Sequence, residues 1–263
     1  MTSLKLKIDS RGVAFLTLNR PEIHNAFDEE LISSLIKEFL KLQKNSKVKI
    51  VALMGEGESF CAGADLKWMK KTVNFSQAEN YKDAKKLANL FSTLDNFKKP
   101  LLAKVHGNVL GGGVGLLAVC DFVLSSNMAK FGLTEVRLGL VPAVISPYVV
   151  SKIGKSNAYA FFLSGIRFGA DKAKEMGLIH QTCEGEDLNK EFERILDGFL
   201  KSGPIATTSA KELLKKLCPP IDKKTIDMTC KLISKLRVSP EAQEGMNALL
   251  EKRNPNWTLE NGN

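Results

Sequence analysis

Val105-His-Gly-Asn-Val-Leu-Gly-Gly-Gly-Val-Gly115 leads from a buried-type strand, 101–105, into an apolar helix. Gly111-Gly-Gly113 opens that helix, which runs to about Cys120, and 122–125 returns as a short strand. A second glycine-bearing turn, Ser59-Phe-Cys-Ala-Gly-Ala-Asp-Leu66, follows the buried-type strand 48–54 and the loop Gly55-Glu-Gly-Glu-Ser59. Further upstream, two short strands flank Arg11-Gly12, the second being 13–18, rich in β-formers. Pro21 breaks that pattern. Asp28 then caps a helix whose apolar positions Leu31, Ile32, Leu35, Ile36, Phe39 and Leu40 recur at helical spacing. Residues 75–97 read as another helix, stopped by Lys98-Lys-Pro100. Strands and helices therefore alternate up to residue 125, which predicts an α/β layer with crossover connections.

After about residue 155 the strand signals fade. Helical stretches are predicted near 156–164, 171–176, 187–201, 205–217, 222–236 and 240–252. No linker, low-complexity segment or fixed-period repeat interrupts the chain. Its 263 residues fit one large domain, or one domain with an appendage. A chain of this length buries roughly three quarters of its unfolded surface without needing staples. With 44% hydrophobic and 25% charged residues the composition is globular.

The longest nearly apolar runs, 116–124 and 141–150, fall short of the ~20 residues of a membrane-spanning helix. The first nine residues hold no apolar segment of the signal-peptide type. Five cysteines, an odd number without C-x-x-C spacing, read as reduced thiols in a cytoplasmic protein. His24, His106 and His180 are too dispersed for a metal helix, so no metal site is expected. The net charge, 38 basic against 29 acidic residues, is +9, which attracts anions. The lysines are scattered and aromatics are only 7%, so a nucleic-acid stacking platform is not indicated and nucleic acid is an unlikely partner.

Several motifs fail on one residue each. Gly154-Lys-Ser156 lacks the P-loop's first glycine, since Val149 stands there. Gly55-x-Gly57 meets Phe60, and Gly111-x-Gly113 meets Leu116, where a dinucleotide fingerprint needs its third glycine. No G-x-S-x-G elbow is present. What remains is a pair of glycine-bearing turns, each able to expose backbone N–H groups. Two such groups aimed at one point make an oxyanion hole. The same residues equally suit close helix–strand packing at Gly-Gly-Gly and a capped turn at Ala-Gly-Ala-Asp.

Phe60-Cys-Ala-Gly-Ala-Asp-Leu66, then Gly107-x-x-x-Gly-Gly-Gly113 and Cys120-Asp121, resemble the enoyl-CoA hydratase/isomerase (crotonase) family. Leu18-Asn-Arg-Pro21 with Asn25-Ala26, Ala129-Lys-Phe131 with Glu135, Gly139-Leu140, Pro142, Ala173, Gly177-Leu-Ile179 and Glu251-Lys-Arg253 extend the likeness in order. The resemblance implies an α/β crotonase (ClpP-like) spiral of ββα units over residues 1–200. It implies a C-terminal helical region, 201–263, that trimerises and covers the coenzyme A pocket. A homotrimer or hexamer, an acyl-CoA substrate, no membrane association and no cofactor apart from the coenzyme A of the substrate follow from it.

The family's chemistry falls on particular positions. The N–H groups of Ala64 and Gly112 correspond to the oxyanion hole. Backbone around Ala62, Ala64, Asp65 and Leu66 would hold the coenzyme A, and Lys252 would reach its phosphates on a neighbouring subunit. Hydratases of the family carry two glutamates. The second matches Glu135, the acid/base candidate, but the first position is Gly115. One glutamate suits a single-carboxylate hydratase, the expected activity, with an enoyl-CoA isomerase as the alternative. Glu135-Val-Arg-Leu-Gly-Leu-Val-Pro-Ala-Val-Ile-Ser-Pro-Tyr148 is similar to the bacterial methylglutaconyl-CoA and isohexenylglutaconyl-CoA hydratase branch. That branch implies a branched enoyl-CoA bearing a carboxylate, for which Arg137 is a candidate partner. Trp68 and Tyr148 are candidates for the acyl pocket, or for packing. Relatives near this branch also include RNA binders, so RNA binding or silent coenzyme A binding is the expectation from another class.

Overall fold

The computed structural model describes residues 2–218 and 221–258. Arg11-Gly12 is the reversal of a hairpin. Strands β1 (Leu4–Ile8) and β2 (Val13–Leu18) pair antiparallel, with Leu4 opposite Leu18 and Ile8 opposite Ala14. Helix α1 (Glu29–Lys44) starts at the predicted cap, where Asp28 accepts from the Leu31 N–H at 2.8 Å. Glu29 and Glu30 sit in its first turn and Lys41 and Lys44 in its last, as the helix dipole favours.

Strand β3 (Ile50–Gly55) then pairs parallel to β2, and β4 (Leu101–Val105) parallel to β3. Between them lie α2 (Leu66–Thr72) and α3 (Gln77–Asp95), the latter opened by a capping box of Ser76 and Glu79. After β4 come β5 (Asn108–Leu110), α4 (Gly112–Ala118), β6 (Phe122–Ser126) and β7 (Lys130–Gly132). Two sheets result once β8 (Phe168–Gly169) and β9 (Gln181–Cys183) are included: six strands ordered β1-β2-β3-β4-β6-β9, and three ordered β5-β7-β8.

The four short strands β5, β7, β8 and β9 are absent from the sequence reading. Two or three residues leave no alternation to detect, and their pairing partners are remote. β9 pairs parallel with β6, for instance, Leu124 lying opposite Gln181. Helix α5 (Ser146–Ser164) begins well before the predicted 156, because Pro147 stands in its first turn, where proline is tolerated. Gly154 (φ 74°) breaks its regular geometry midway. Helices α6 (Ala170–Glu175), α7 (Leu188–Leu200), α8 (Pro204–Leu217), α9 (Lys223–Arg237) and α10 (Pro240–Leu250) match their predicted positions to within two residues.

The main sheet is apolar on both faces, as a covered parallel sheet requires. Val13, Ile50, Ala52, Leu102 and Leu124 meet Leu188, Phe192, Ile195 and Leu196 of α7. The alternate residues, including Leu16, Val51, Leu53, Leu101, Ala103 and Val123, belong to the larger core built with α1, α3, α4 and α5. Helix α9 lies along α3, and α10 lies on a 3-10 turn, Glu135–Leu138, and on α2. At Gly245 of α10 an added Cβ would come within 2.5 Å of the Leu138 backbone, so glycine permits that contact. Helix α8, by contrast, buries none of its residues in the chain. No helix among the described residues is long and apolar enough to cross a membrane.

Candidate active site

The two glycine-bearing turns leave the carboxyl ends of adjacent parallel strands, β3 and β4. Ligands of α/β sheets bind at such ends. Backbone hydrogen bonds zip the turns together. The Phe60 N–H donates to His106 O (3.0 Å), Cys61 N–H to Asn108 O (3.2 Å) and Leu110 N–H to Cys61 O (2.9 Å). Gly107 (φ 62°) allows the approach, since an added Cβ would lie 1.8 Å from Glu58 O. Asn25, buried, clamps the first turn through Nδ2 to Glu56 O and Ser59 O, both at 2.8 Å.

Among the N–H groups that this lattice leaves unused are those of Ala64 and Gly112. Gly63 O and the Asp65 N–H both bond to Phe27, while the Ala64 N–H between them donates to no acceptor among the described residues. Gly111 N–H is taken by Gly132 O at 2.9 Å, and Gly115 N–H by Gly111 O at 3.2 Å. The Gly112 N–H, first in α4, donates to none of the described acceptors. Both residues line one cavity of about 840 Å³, a size suited to a small-molecule site.

Glu135 lines the same cavity. Its Oε1 lies 3.0 Å from where a Cβ on Gly111 would stand, so the carboxyl adjoins the helix start that carries the free N–H. Although the residue as a whole is half-buried, Oε2 is shielded from water and has no hydrogen-bond partner. Burial therefore pushes the carboxyl up to about 7, against a smaller lowering by its own backbone N–H. No ion pair joins it to Arg137. A carboxyl held near neutrality beside two free N–H donors can take and return a proton next to a polarised carbonyl.

Position 115 is closed to a second carboxyl. A Cβ on Gly115 would meet Ile145 Cγ2 at 2.5 Å and the Phe91 ring at 2.9 Å. Apolar side chains thus fill the space of the family's first glutamate. Asp121 offers no substitute, because its Oδ2 accepts from the Leu101 N–H and Lys211 Nζ.

The other expected site residues divide. Ala62, Ala64, Asp65, Leu66, Trp68 and Arg137 line the cavity. The Asp65 carboxylate is committed elsewhere. Oδ1 caps α2 through the Lys67 N–H at 2.7 Å, and Oδ2 pairs with Arg20 at 2.9 Å. Of the two roles left open for Tyr148, packing is the one observed. Tyr148 is buried against Phe91, ring centroids 5.8 Å apart, and does not line the cavity. Lys252 is exposed beyond the end of α10 and lies outside this chain's cavity wall. His106, at the start of the second turn, bonds through Nε2 to Gly57 O at 2.7 Å.

Sequence reasoning missed Arg167 and Arg237, both of which line the cavity. Neither belongs to a motif, and only the folding of β8 and α9 against the site brings them there. Arg237 is paired with buried Asp83 at 2.8 Å and lies over the Trp68 ring.

The profile of the enoyl-CoA hydratase/isomerase family matches residues 9–260. The chain belongs to the enoyl-CoA hydratase/isomerase family. An enoyl-CoA hydratase of Shewanella pealeana, solved by crystallography, is 40% identical, with a TM-score of 0.79 over 97% of this chain and 96% of that one. The crystal structure of an enoyl-CoA hydratase from Mycobacterium avium has a TM-score of 0.88 at 30% identity, covering 98% and 100%. The 2,3-dehydroadipyl-CoA hydratase of Escherichia coli is 30% identical over 247 residues, 93% of this chain and 94% of that protein. The two sheets and ten described helices are the crotonase fold.

Proposed function

We propose that this chain adds water to the C2=C3 double bond of an enoyl-CoA, and that its substrate is of the branched glutaconyl type. One observation carries the hydratase reading: a carboxyl with no partner for Oε2, raised to about 7 by burial, and two unused backbone N–H groups line one cavity. The thioester oxygen accepts from the N–H groups of Ala64 and Gly112. Ionised Glu135 removes a proton from water as the oxygen attacks C3. The π electrons move into a thioester enolate, held by the two donors. Glu135 then delivers its proton to C2 on the same face, so one residue serves as base and then as acid. No cofactor beyond the coenzyme A of the substrate enters these steps. The name of the Escherichia coli relative, a dicarboxylic acyl-CoA hydratase, supports an acyl group with a second carboxylate.

The closed space at Gly115 favours a second reading, enoyl-CoA isomerisation. There Glu135 removes a proton from C2 of a 3-enoyl-CoA and returns it to C4. Loss of the conjugated thioester's absorbance, followed with crotonyl-CoA and 3-methylglutaconyl-CoA, tests hydration. We expect turnover of the branched acid, lowered about a thousandfold in Glu135→Gln. Absence of hydration with both, alongside conversion of a 3-enoyl-CoA, transfers the assignment to an isomerase. We also propose a trimer or hexamer, in which Lys252 approaches a neighbour's coenzyme A.

A further inference from the structure

Charged side chains are few on the wall of the cavity, and two pairs are already neutralised. Asp65 is tied to Arg20 and Arg237 to Asp83. Arg137 and Arg167 differ. Both line the cavity, and neither has an acidic partner among the described residues. Both residues are exposed, and their side-chain stems pack beside the segment that carries Glu135. Arg137 Cγ and Nε lie 3.0 and 3.2 Å from where a Cβ on Gly165 would stand, two residues before Arg167. Arg167 Cγ lies 3.2 Å from the equivalent point on Gly132, and so does Thr134 Cγ2, the neighbour of Glu135. An anionic group is the complement that these two unpaired guanidiniums lack. Glu135 does not fill that role, since its Oε2 bonds to nothing.

We propose that Arg137 and Arg167 together receive a carboxylate on the acyl group and thereby select monothioesters of dicarboxylic acids. Guanidinium groups bind carboxylates through paired, charge-assisted hydrogen bonds. The phosphates of coenzyme A have similar chemistry, but these arginines share the wall of the acid/base carboxyl, where the acyl carbons react. The inference rests on the reading of the cavity as an acyl-CoA site.

Binding of two saturated thioesters, followed by calorimetry, tests it. One is 3-methylglutaryl-CoA. The other is 3,5-dimethylhexanoyl-CoA, whose isopropyl end has the shape of the carboxylate without its charge. Neither can be hydrated, so binding is read apart from turnover. We expect the wild type to prefer the acid by about tenfold or more. Arg137→Met and Arg167→Met each weaken the acid by about tenfold, leave the neutral thioester within about twofold, and together erase the preference. A wild type that does not discriminate overturns the assignment. So does a parallel loss on both thioesters, which would place the arginines on coenzyme A or a neighbouring subunit. Should the acid bind in the expected pattern while 3-methylglutaconyl-CoA is not hydrated, the hydratase reading fails and the arginine assignment stands.

Discussion

The carboxyl of Glu135 loses water on folding and gains no partner for Oε2. Its acidity rises because the charged form is the one that desolvation penalises. Acting as a base on water, the group must be ionised. The hydration kcat/KM should therefore climb with pH and level off above about 7. The same shift acts on stability. The folded state holds a proton that the unfolded chain has released between pH 4.5 and 7, so this residue weakens the fold as pH rises through that window. Glu135→Gln should stabilise the fold at pH 8 by on the order of 1–3 kcal/mol, raising the Tm there, and change the Tm little at pH 4. Equal Tm shifts at both pH values would refute the desolvated carboxyl. Gly115 makes the opposite point. Glu at this position finds Ile145 and Phe91 in its way, so Gly115→Glu should lose at least about 1–3 kcal/mol without faster hydration. Denaturant melts and the hydration assay check both halves.

Among the elements, α2 is tied to α1 by one bridge. Arg20 joins Asp65, the cap of α2, to Asp28, the cap of α1, with side chains mostly out of water. Arg20→Met leaves two carboxylates facing each other without a cation and should cost about 2–4 kcal/mol. Because α2 lines the cavity, KM should rise more than kcat falls; a variant with wild-type KM would show that α2 holds its place without the bridge. The strand–helix alternation, the cap at Asp28 and the helices after 165 were legible because each obeys a local rule of period or cap chemistry. The short strands β5, β7, β8 and β9 obey none. Pairing with distant residues makes them strands.

At the scale of the whole molecule, α8 is the α-helix that buries none of its residues among the described ones, although Lys211 and Lys215 tie it to Asp121 and Asp95. Ile205 and Leu217 are 83% and 72% exposed, and Leu213 and Leu214 lie on the same helix. Water-facing side chains of this size in one helix are what association would cover. Sedimentation should give three or six times the 28.9 kDa chain mass, and Leu213→Glu with Leu217→Glu should lower it. A wild type sedimenting as a single chain would refute the assembly. The helices α9 and α10 fold back onto their own chain's cavity, through Ile233, Arg237, Met246 and Leu249, so a single chain supplies the roof of its site.

The amino-acid order by itself determined the α/β alternation and the two glycine-bearing turns, which follow from short-range patterns: periodicity, caps, and glycine where backbone must approach backbone. Glu135 as the candidate acid/base carboxyl came from the family resemblance. Only the tertiary structure decided which N–H groups stay free, since that depends on where every neighbouring carbonyl is spent. It alone closed the space beside Gly115, buried Tyr148 away from the cavity, and brought Arg167 and Arg237 to its wall. Those outcomes depend on contacts between residues far apart in the chain, and no local pattern encodes which side chains will share a wall.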